Sequence, residues 1–234
     1  MKIALLGYGK MGKTIEILAK KSGHEIVFKS SSKEILGLLN EASVAIDFST
    51  PETAFENIKC ALEIGIPVVS GTTGWLKDYD KVIKFCEENN GSFIYASNFS
   101  IGVNLFFNLN AQLAKIMGRW DTYKPSISEI HHIHKKDAPS GTAISLAEEI
   151  IKHSNKVGWK LDEASEEEIE ITANRMDNVH GLHEVVYASD IDSIAIKHEA
   201  HSREGFAIGA ILASEWLQLK KGVFTMKDVL NTAQ

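Results

Sequence analysis

Histidine and lysine residues are concentrated in one short segment, residues 129–142, which reads EIHHIHKKDAPSGT. Three imidazoles and two ammonium groups are followed by a Ser-Gly-Thr turn, just before an amphipathic run that is typical of a helix. Imidazole and ammonium groups can donate protons, and the amides at the start of a helix can hold an anion. The segment therefore predicts a site that binds and protonates an anionic substrate.

The two halves of this segment have different expected tasks. Lys135 carries a positive charge and an acidic proton. Ser140, Gly141 and Thr142 precede the predicted helix over residues 143–152, so their amides and hydroxyls can hold a carboxylate at the helix N-terminus. Combined with a cofactor domain, such a pocket indicates hydride transfer to a small substrate with two or more negative charges.

A metal site is one alternative for the same histidines. Strand alternation would place His131 and Ile133 on one face and the other two histidines on the opposite face, unless a bend or bulge brought His131 and His132 together. A metal would also need a carboxylate or thiolate, and the adjacent lysines would repel a divalent cation. We therefore predict no metal. Surface or core histidines without a functional role are the second alternative.

A second candidate site lies at residues 7–12, where GYGKMG matches G-x-G-x-x-G between a short apolar strand and an amphipathic helix. The first glycine permits the tight turn, the second lets the backbone approach a pyrophosphate, and the third lets the helix pack on the strand. The pattern predicts a dinucleotide site, the alternative being a glycine-rich turn without a ligand. The predicted contacts in this loop are Gly7, Tyr8, Gly9, Lys10, Met11 and Gly12.

The cofactor preference depends on the end of the second predicted strand. NAD-preferring sites usually carry an acidic residue about 20 positions after the glycine loop. Residues 29–33 read KSSSK, with two lysines, three hydroxyls and no carboxylate. These residues favour NADPH, or the use of both NADPH and NADH, with Lys29 as a predicted contact.

Two further loops follow predicted strands, at the strand ends where ligands bind in doubly wound sheets. Residues 70–74 (SGTTG) could approach the nicotinamide ring, and residues 97–100 (SNFS) could hydrogen-bond its carboxamide. Each loop could also be an ordinary polar turn. The predicted contacts are Gly71, Thr72, Thr73, Ala96, Ser97, Asn98 and Phe99.

The elements that must position these residues follow an alternating pattern in the first hundred residues. Strands separated by single helices indicate right-handed βαβ crossovers, which predicts an α/β fold with a Rossmann-type doubly wound parallel sheet. The predicted strands are 3–6, 25–28, 44–48, 67–70 and 93–96, and the predicted helices are 10–21, 32–39, 51–64 and 77–89.

After residue 98 several strands are neighbours in sequence, which predicts a second, α+β domain with a mixed or antiparallel sheet. Its predicted elements are helices 103–117 and 143–152 and strands 125–132, 168–174, 183–188 and 192–200. The helix 205–219 and the tail 225–230 are expected to return to the first domain. We therefore predict a dinucleotide-binding domain of residues 1–102 plus 206–234, and a substrate domain of residues 103–205.

Composition narrows the class of partner. The chain has 234 residues, and 25 basic against 31 acidic side chains give a net charge of −6. This balance argues against nucleic acid or an anionic membrane as the main partner. No apolar run approaches the roughly 18–20 residues of a membrane span, and no signal segment begins the chain, so a cytoplasmic location is expected. Cys60 and Cys86 are expected to be two buried free thiols.

Taken together, these segments resemble the 4-hydroxy-tetrahydrodipicolinate reductase (dihydrodipicolinate reductase) family. Residues 129–143 closely follow its signature E-x-H-H-x-x-K-x-D-A-P-S-G-T-A. The resemblance implies NAD(P)H-dependent reduction of a small dicarboxylate in the diaminopimelate route to lysine, and a homotetramer formed through the second domain. Further matching segments are Gly7–Gly12, Asp47–Ser49, Gly71–Gly74, Ala96–Gly102 and Gly181–Glu184.

The resemblance also implies residue roles. His131 matches a proton donor or acceptor and Lys135 a proton donor, while His132, Gly141 and Thr142 match contacts to the substrate carboxylates. The segment between the second and third predicted strands is shorter than in longer family members and lacks the acidic residue, which leaves the adenosine contacts open. Two alternative functions are a different Rossmann-type NAD(P)-dependent dehydrogenase and a non-catalytic NAD(P)-sensing protein.

Overall fold

The computed structural model describes residues 1–31 and 34–232. They form two compact units: Met1–Ile101 together with residues from Glu204 onward, and Gly102–Arg203. The predicted domain boundaries, after residues 102 and 205, fall beside those of the two units. Among the described residues, no helix is both long enough and apolar enough to cross a membrane.

The strands, in chain order, are β1 Lys2–Leu6, β2 Glu25–Ser30, β3 Ile35–Gly37, β4 Val44–Asp47, β5 Val68–Ser70, β6 Ser92–Tyr95, β7 Lys124–His131, β8 Gly158–Leu161, β9 Glu168–Arg175, β10 Gly181–Ala188, β11 Ser193–Ala200 and β12 Gly222–Phe224. The α-helices are α1 Lys10–Lys21, α2 Pro51–Glu63, α3 Tyr79–Glu88, α4 Ile101–Met117, α5 Gly141–Ile151, α6 Glu204–Leu217 and α7 Met226–Val229. Short 3₁₀ turns cover Leu39–Glu41 and Leu76–Asp78.

The first unit is built on a seven-stranded sheet in the order β12-β6-β5-β4-β1-β2-β3. All neighbours pair in parallel except β2 and β3, which are antiparallel. Side chains of β1 alternate between two cores, because successive strand residues point to opposite faces. Ile3 and Leu5 pack with α1 and α6, whereas Ala4 and Leu6 pack with α2 and α3. Helices thus cover both faces, which confirms the predicted doubly wound sheet.

The predicted helix over residues 32–39 is wrong. Residues 35–37 form the edge strand β3, paired with the end of β2, and a 3₁₀ turn follows; Ser32 and Lys33 lie outside the described residues. Gly37 has a φ of +88°, and a β-carbon there would lie 1.9 Å from the Val27 carbonyl oxygen. Pairing with β2 at this close approach outweighs the local helical spacing, since propensity is easily overridden by tertiary contacts. Cys60, predicted to be buried, is exposed, whereas Cys86 is buried.

The second unit contains a five-stranded mixed sheet in the order β11-β10-β7-β9-β8. β7 is its central strand, antiparallel to β10 and parallel to β9. Its buried face carries Pro125, Ile127, Glu129 and His131, so the alternation that buries Ile127 also turns the carboxylate and the imidazole inward. The mixed sheet is one of the two arrangements predicted. Strands β8 and β12, which are short, were not predicted.

Strand alternation does not continue through the three histidines. β7 ends at His131, and the chain turns so that the Lys135 amide donates to the His132 carbonyl oxygen at 3.0 Å. The predicted distribution of Ile133 and His134 over two strand faces is therefore wrong. The turn instead carries Lys135 back towards the end of β7.

Candidate active site

The glycine loop after β1 has two glycines that the fold requires and one that it does not. A β-carbon on Gly7 would lie 2.2 Å from the Phe48 carbonyl oxygen, and one on Gly12 would lie 2.4 Å from the Gly7 carbonyl oxygen. Gly9 is exposed and has no described atom within 4 Å of its β-carbon position. It immediately precedes α1, whose N-terminal amides favour anions. The space beside Gly9 is therefore where a phosphate could approach the backbone.

A buried carboxylate fixes the two loops after β4 and β5. Asp47 Oδ1 accepts a hydrogen bond from Ser49 Oγ at 2.6 Å, and Oδ2 accepts from Ser70 Oγ and Thr72 Oγ1, both at 2.8 Å. Thr72 Oγ1 also accepts from the Ser49 amide at 2.8 Å. Burial raises the pKa of Asp47. The Thr72 hydroxyl is thus used inside the protein, whereas Thr73 is exposed.

The remaining predicted cofactor contacts in these loops also include residues used in packing and residues that are exposed. A β-carbon on Gly71 would lie 2.3 Å from the Phe48 ring, so packing alone explains this glycine. The Phe99 ring is in the core, 6.0 Å from the Phe48 ring, so its side chain is used in packing. Ala96 and Asn98 are half-buried and Ser97 is exposed.

Lys29 is paired with a carboxylate that sequence analysis did not identify. Its ammonium lies 2.7 Å from Glu16 Oε1 and 4.7 Å from the centre of the Tyr8 ring. Lys20 contacts the same oxygen at 2.7 Å, and the Tyr8 hydroxyl donates to Glu16 Oε2. Burial by itself raises the pKa of Glu16, but these hydrogen bonds outweigh it and lower the pKa to about 2. Glu16 is therefore ionised and neutralises part of the positive charge at the end of β2.

In the second unit, Glu129 is the centre of a buried polar cluster. Its two carboxylate oxygens accept the Ser140 amide at 3.0 and 3.1 Å. Oε2 lies 3.6 Å from His131 Nδ1 and 3.5 Å from His183 Nε2, and Oε1 lies 3.6 Å from the Arg175 guanidinium. Burial raises the pKa of Glu129, but the contacts with His183 and Ser140 outweigh it and lower the pKa to about 2. The carboxylate is therefore ionised.

His131 is enclosed by this cluster. Its ring centre lies 5.0 Å from that of His183, and a β-carbon on Gly181 would lie only 3.2 Å from His131 Nε2. Burial, followed by the neighbouring His183, lowers the pKa of His131 to about 4. His131 is therefore a neutral imidazole near pH 7, which limits it as a resting proton donor.

Lys135 lies beside this imidazole on a turn that Arg175 fixes. Its half-buried ammonium donates to Asp137 Oδ2 and Oδ1 at 2.7 and 2.9 Å. The Arg175 guanidinium donates to the backbone carbonyls of Lys135 and Asp137. The Lys135 ammonium, although paired with Asp137, thus lies at the edge of the cluster as an N–H donor.

The predicted carboxylate-binding turn begins α5. Ser140 is its N-cap: Ser140 Oγ accepts from the Ala143 amide at 3.2 Å and lies 3.0 Å from His183 Nε2. Gly141 is exposed and has no described atom within 4 Å of its β-carbon position, and Thr142 is half-buried. As at Gly9, the fold gives no reason for a glycine, which favours close approach of a ligand.

His132 lies on the turn outside this cluster. Its Nε2 accepts from the Arg203 guanidinium at 3.2 Å, and its ring centre is 6.2 Å from that of His134. Sequence analysis did not select Arg203. The pair adds a permanent positive charge next to the predicted carboxylate contact.

The grouping of Glu129, His131 and His183 also has the composition of a metal site, with ligand atoms within 4.8 Å of one another. Glu129 already accepts the Ser140 amide at both oxygens and faces the Arg175 cation. A divalent cation would compete with the Ser140 amide for the carboxylate oxygens and would lie beside a guanidinium. These contacts favour a hydrogen-bonded cluster over a metal centre, and the expectation of no metal stays a prediction.

Comparison with known proteins covers both units. Residues 1–99 match the family model described as dihydrodipicolinate reductase, N-terminus, and residues 102–230 match the one described as dihydrodipicolinate reductase, C-terminus. The chain belongs to the dihydrodipicolinate reductase family. A 4-hydroxy-tetrahydrodipicolinate reductase of Christiangramia forsetii is 55% identical over 234 residues, covering 99% of this chain and 98% of that one. One from Rickettsia rickettsii is 39% identical and covers 94% and 95%.

Solved structures show the same fold. A dipicolinate-bound dihydrodipicolinate reductase from Paenisporosarcina sp. TG-14 superposes with a TM-score of 0.77 at 21% identity, covering 96% of this chain and 97% of that chain. An amine dehydrogenase from Mycobacterium smegmatis reaches 0.63 at 9% identity, covering 96% and 94%. Because the fold extends to other dehydrogenases, membership of the dihydrodipicolinate reductase family rests on sequence, not on the fold.

The structure places the predicted residues of this family member in two groups, one in each unit. His131, Lys135 and the Ser140–Thr142 turn are joined through the Glu129 cluster, and His132 lies on the intervening turn. Glu129, His183, Arg175 and Arg203 were not selected by sequence analysis. Glu129 and His183 lie within the matching segments quoted above, which was the signal available for those two.

Proposed function

We propose that this chain reduces 4-hydroxy-tetrahydrodipicolinate to tetrahydrodipicolinate with NADH or NADPH, as the names of its relatives indicate. The observation that carries the proposal is family membership across residues 1–99 and 102–230, with the family's imidazole, lysine and helix start all present. The substrate is a small dicarboxylate, which suits the positive charge of Lys135 and Arg203.

The bound reduced nicotinamide supplies a hydride to C4 of the unsaturated imine formed when the substrate loses water. This addition would shift the conjugated electrons onto ring carbon and nitrogen, and one proton added to that anion balances the reduction. We assign this proton to the Lys135 ammonium, which is charged and held by Asp137 at 2.7 Å. A positioned acid of this kind typically contributes about 10²–10⁴-fold to the rate.

His131 has a second, substrate-dependent task in this proposal. In the free protein its pKa is about 4, so it is neutral. Two substrate carboxylates nearby would raise that pKa, because a negative charge stabilises the imidazolium. His131 can then take up or pass on a proton after the substrate binds.

We assign the two carboxylates to the Gly141 amide with the Thr142 hydroxyl, and to His132. The open space at Gly141 and the contact of His132 with Arg203 support these assignments. In the first unit, we assign the pyrophosphate to the loop Gly7–Gly12 and the nicotinamide side to Gly71–Thr73 and Ala96–Phe99. Thr73 and Ser97 are the exposed members of the second set.

The cofactor preference follows from the Lys29 cluster. Lys29 can meet a 2′-phosphate, but its charge is shared with Glu16, so we propose use of both NADPH and NADH instead of strict NADPH dependence. By resemblance to the family we also propose a cytoplasmic homotetramer, with residues 103–205 as the substrate-binding and tetramer-forming part. The mass in solution, measured by light scattering, tests the tetramer.

A coupled assay tests the activity. A synthase generates the substrate in situ, and the absorbance of the reduced nicotinamide reports turnover with each cofactor. We expect turnover by the wild type, and a loss of about 10²–10⁴-fold in kcat for Lys135→Ala and for His131→Ala, because each removes a positioned proton-transfer group. The NADPH Kd should stay near the wild-type value in both variants. His134→Ala is the matched control and should keep full activity.

Two outcomes would contradict this proposal. Wild-type kcat in the Lys135→Ala, His131→Ala double variant would overturn the role assignment. Tight NADPH binding without turnover would instead favour a sensing protein.

A further inference from the structure

The buried Glu129 carboxylate contacts both halves of the proposed catalytic site. Through both oxygens it holds the Ser140 amide at 3.0 and 3.1 Å, directly before the proposed carboxylate contacts. Through Oε2 it lies 3.6 Å from His131 Nδ1, the proposed proton-transfer group. The strand register explains the arrangement, because Glu129 is on β7 and His183 lies directly opposite it on β10.

We propose that Glu129 and His183 are positioning residues for the reaction, which hold the His131 imidazole and the start of α5 in one fixed arrangement. This inference rests on the proposed function. Glu129 faces His131 Nδ1 and positions the imidazole. His183 positions the start of α5, because its Nε2 lies 3.0 Å from Ser140 Oγ.

The distance between Glu129 and His131 indicates when the carboxylate acts. At 3.6 Å the contact is too long for a hydrogen bond, and His131 Nδ1 is a buried atom with no hydrogen-bond partner among the described residues. Buried polar atoms are rarely left in this state, so an unsatisfied one requires an explanation. A protonated His131 would be drawn to the carboxylate. Glu129 therefore stabilises the imidazolium that we expect in the substrate complex.

Burial separates this role from simple packing. Glu129 is fully buried, and an apolar side chain of similar volume would often stabilise a buried site as well as an ion pair does. Keeping an ionised group there costs desolvation energy, which its contacts must offset. A group that orients a histidine and lowers the free energy of its charged form gives a reason for that cost.

The decisive variant is Glu129→Gln, which keeps the shape and removes the charge. We expect kcat to fall by about 10- to 100-fold, less than the roughly 10²–10⁴-fold that a positioned acid–base group itself contributes, because Glu129 acts through His131. KM for the dicarboxylate should rise because the start of α5 is less well fixed. The NADPH Kd should not change. Glu129→Asp should restore part of the activity. The control is Glu170→Gln, which makes the same change on the exposed face of β9 in the same sheet.

The pKa of His131 is the measurement that a purely structural role would not move. With dipicolinate bound as a dicarboxylate probe, an NMR titration of the His131 ring should give a lower pKa in Glu129→Gln than in wild type. The reason is that the Glu129 charge favours the imidazolium. Glu170→Gln should leave this pKa unchanged. His183→Gln, which can still reach Ser140, keeps the inference testable if Glu129→Gln does not fold, and it should raise KM more than it lowers kcat.

The outcomes separate this inference from the proposed function. Absence of turnover in the wild type refutes the proposed function. Wild-type turnover, with kcat, KM and the His131 pKa all unaltered in Glu129→Gln, refutes the positioning role. A lower melting temperature with unchanged kinetics would show that Glu129 only stabilises the fold and would also refute it. Loss of wild-type activity on EDTA treatment, restored by Zn²⁺, would assign the three residues to a metal instead.

Discussion

Two glycines without a structural requirement give the most direct test of the proposed ligand positions. Gly9 has a φ of −86°, which alanine adopts easily, and its β-carbon position is open. Gly141, the first residue of α5, is open in the same way. We expect Gly9→Ala and Gly141→Ala to fold normally. Gly9→Ala should bind NADPH more weakly, and Gly141→Ala should bind the dicarboxylate more weakly. Gly12→Ala is the contrasting variant, because its β-carbon would lie 2.4 Å from the Gly7 carbonyl oxygen.

The expected effect on stability differs between these variants. At Gly9, alanine is a poorer N-cap than glycine, which should destabilise the fold by about 0.5 kcal/mol. Alanine also reduces the conformational entropy of the unfolded chain, which should stabilise the fold by a similar amount, about 0.4–1 kcal/mol. The net change should be close to zero. Gly12→Ala forces backbone atoms together, which typically costs about 1–3 kcal/mol and lowers Tm by about 2–4 °C for each kcal/mol.

The expected effect on binding comes from the lost approach to the backbone. A phosphate must come to about 2.9 Å of an amide nitrogen, and a new methyl group in that space prevents it. Losing one such charge-assisted hydrogen bond costs about 1.5–3 kcal/mol, which is about a 10- to 100-fold increase in Kd. Gly9→Ala should therefore raise the Kd for NADPH by this factor, and Gly141→Ala should raise KM for the dicarboxylate by a similar factor.

Calorimetric titration with NADPH, steady-state kinetics and thermal unfolding measure these effects in one set of proteins. The crossed pattern is the important result: Gly9→Ala should keep the KM for the dicarboxylate, and Gly141→Ala should keep the NADPH Kd. Unchanged NADPH binding by folded Gly9→Ala would refute the pyrophosphate position. A loss of stability in Gly9→Ala as large as that in Gly12→Ala would refute the reasoning that its glycine serves a ligand.

Two other predictions follow from the charged clusters. Glu16→Gln should free Lys29 and raise the ratio of kcat/KM for NADPH over NADH by about tenfold, the effect of roughly 1.4 kcal/mol of added attraction to the 2′-phosphate. The control is Lys20→Gln, which removes only the exposed partner of Glu16. An unchanged ratio in Glu16→Gln would contradict the assignment of Lys29. Acid should destabilise the second unit in two steps, because the folded-state pKa of His131 (about 4) lies below its ordinary 6.5, and that of Glu129 (about 2) lies below 4.5. The contribution of His131 to the free energy of unfolding is complete above pH 6.5 and is lost as the pH falls to about 4. The contribution of Glu129 is lost between about pH 4.5 and pH 2. Each contribution is about 3 kcal/mol. Urea unfolding between pH 7 and pH 4 measures the first step, which His131→Gln should abolish; an equal slope in that variant would assign the loss to other groups.

Periodicity along the chain was sufficient for most of the fold. Strands β1, β4, β5 and β6 are short apolar runs separated by single amphipathic helices, a pattern that is determined locally and that leads to a doubly wound sheet. The predicted helix was wrong at residues 35–37, where pairing with β2 overrides the local pattern. The strand alternation predicted past His131 was wrong because the backbone turns after that residue.

The sequence by itself determined the chemistry of the candidate site: the glycine loop, the imidazole and lysine of residues 131–135, and the carboxylate turn that begins α5. Each of these motifs is a short contiguous segment, so its residue types and spacing can be recognised without knowledge of the fold. Only the tertiary structure decided their surroundings. Glu129, Arg175 and His183 come from three different strands, and the sheet register alone brings them to one buried face. That burial makes His131 neutral, whereas the contacts with His183 and Ser140 keep the buried Glu129 ionised. The free energy of a charge depends on the dielectric and on the neighbouring groups, and a local segment of sequence determines neither.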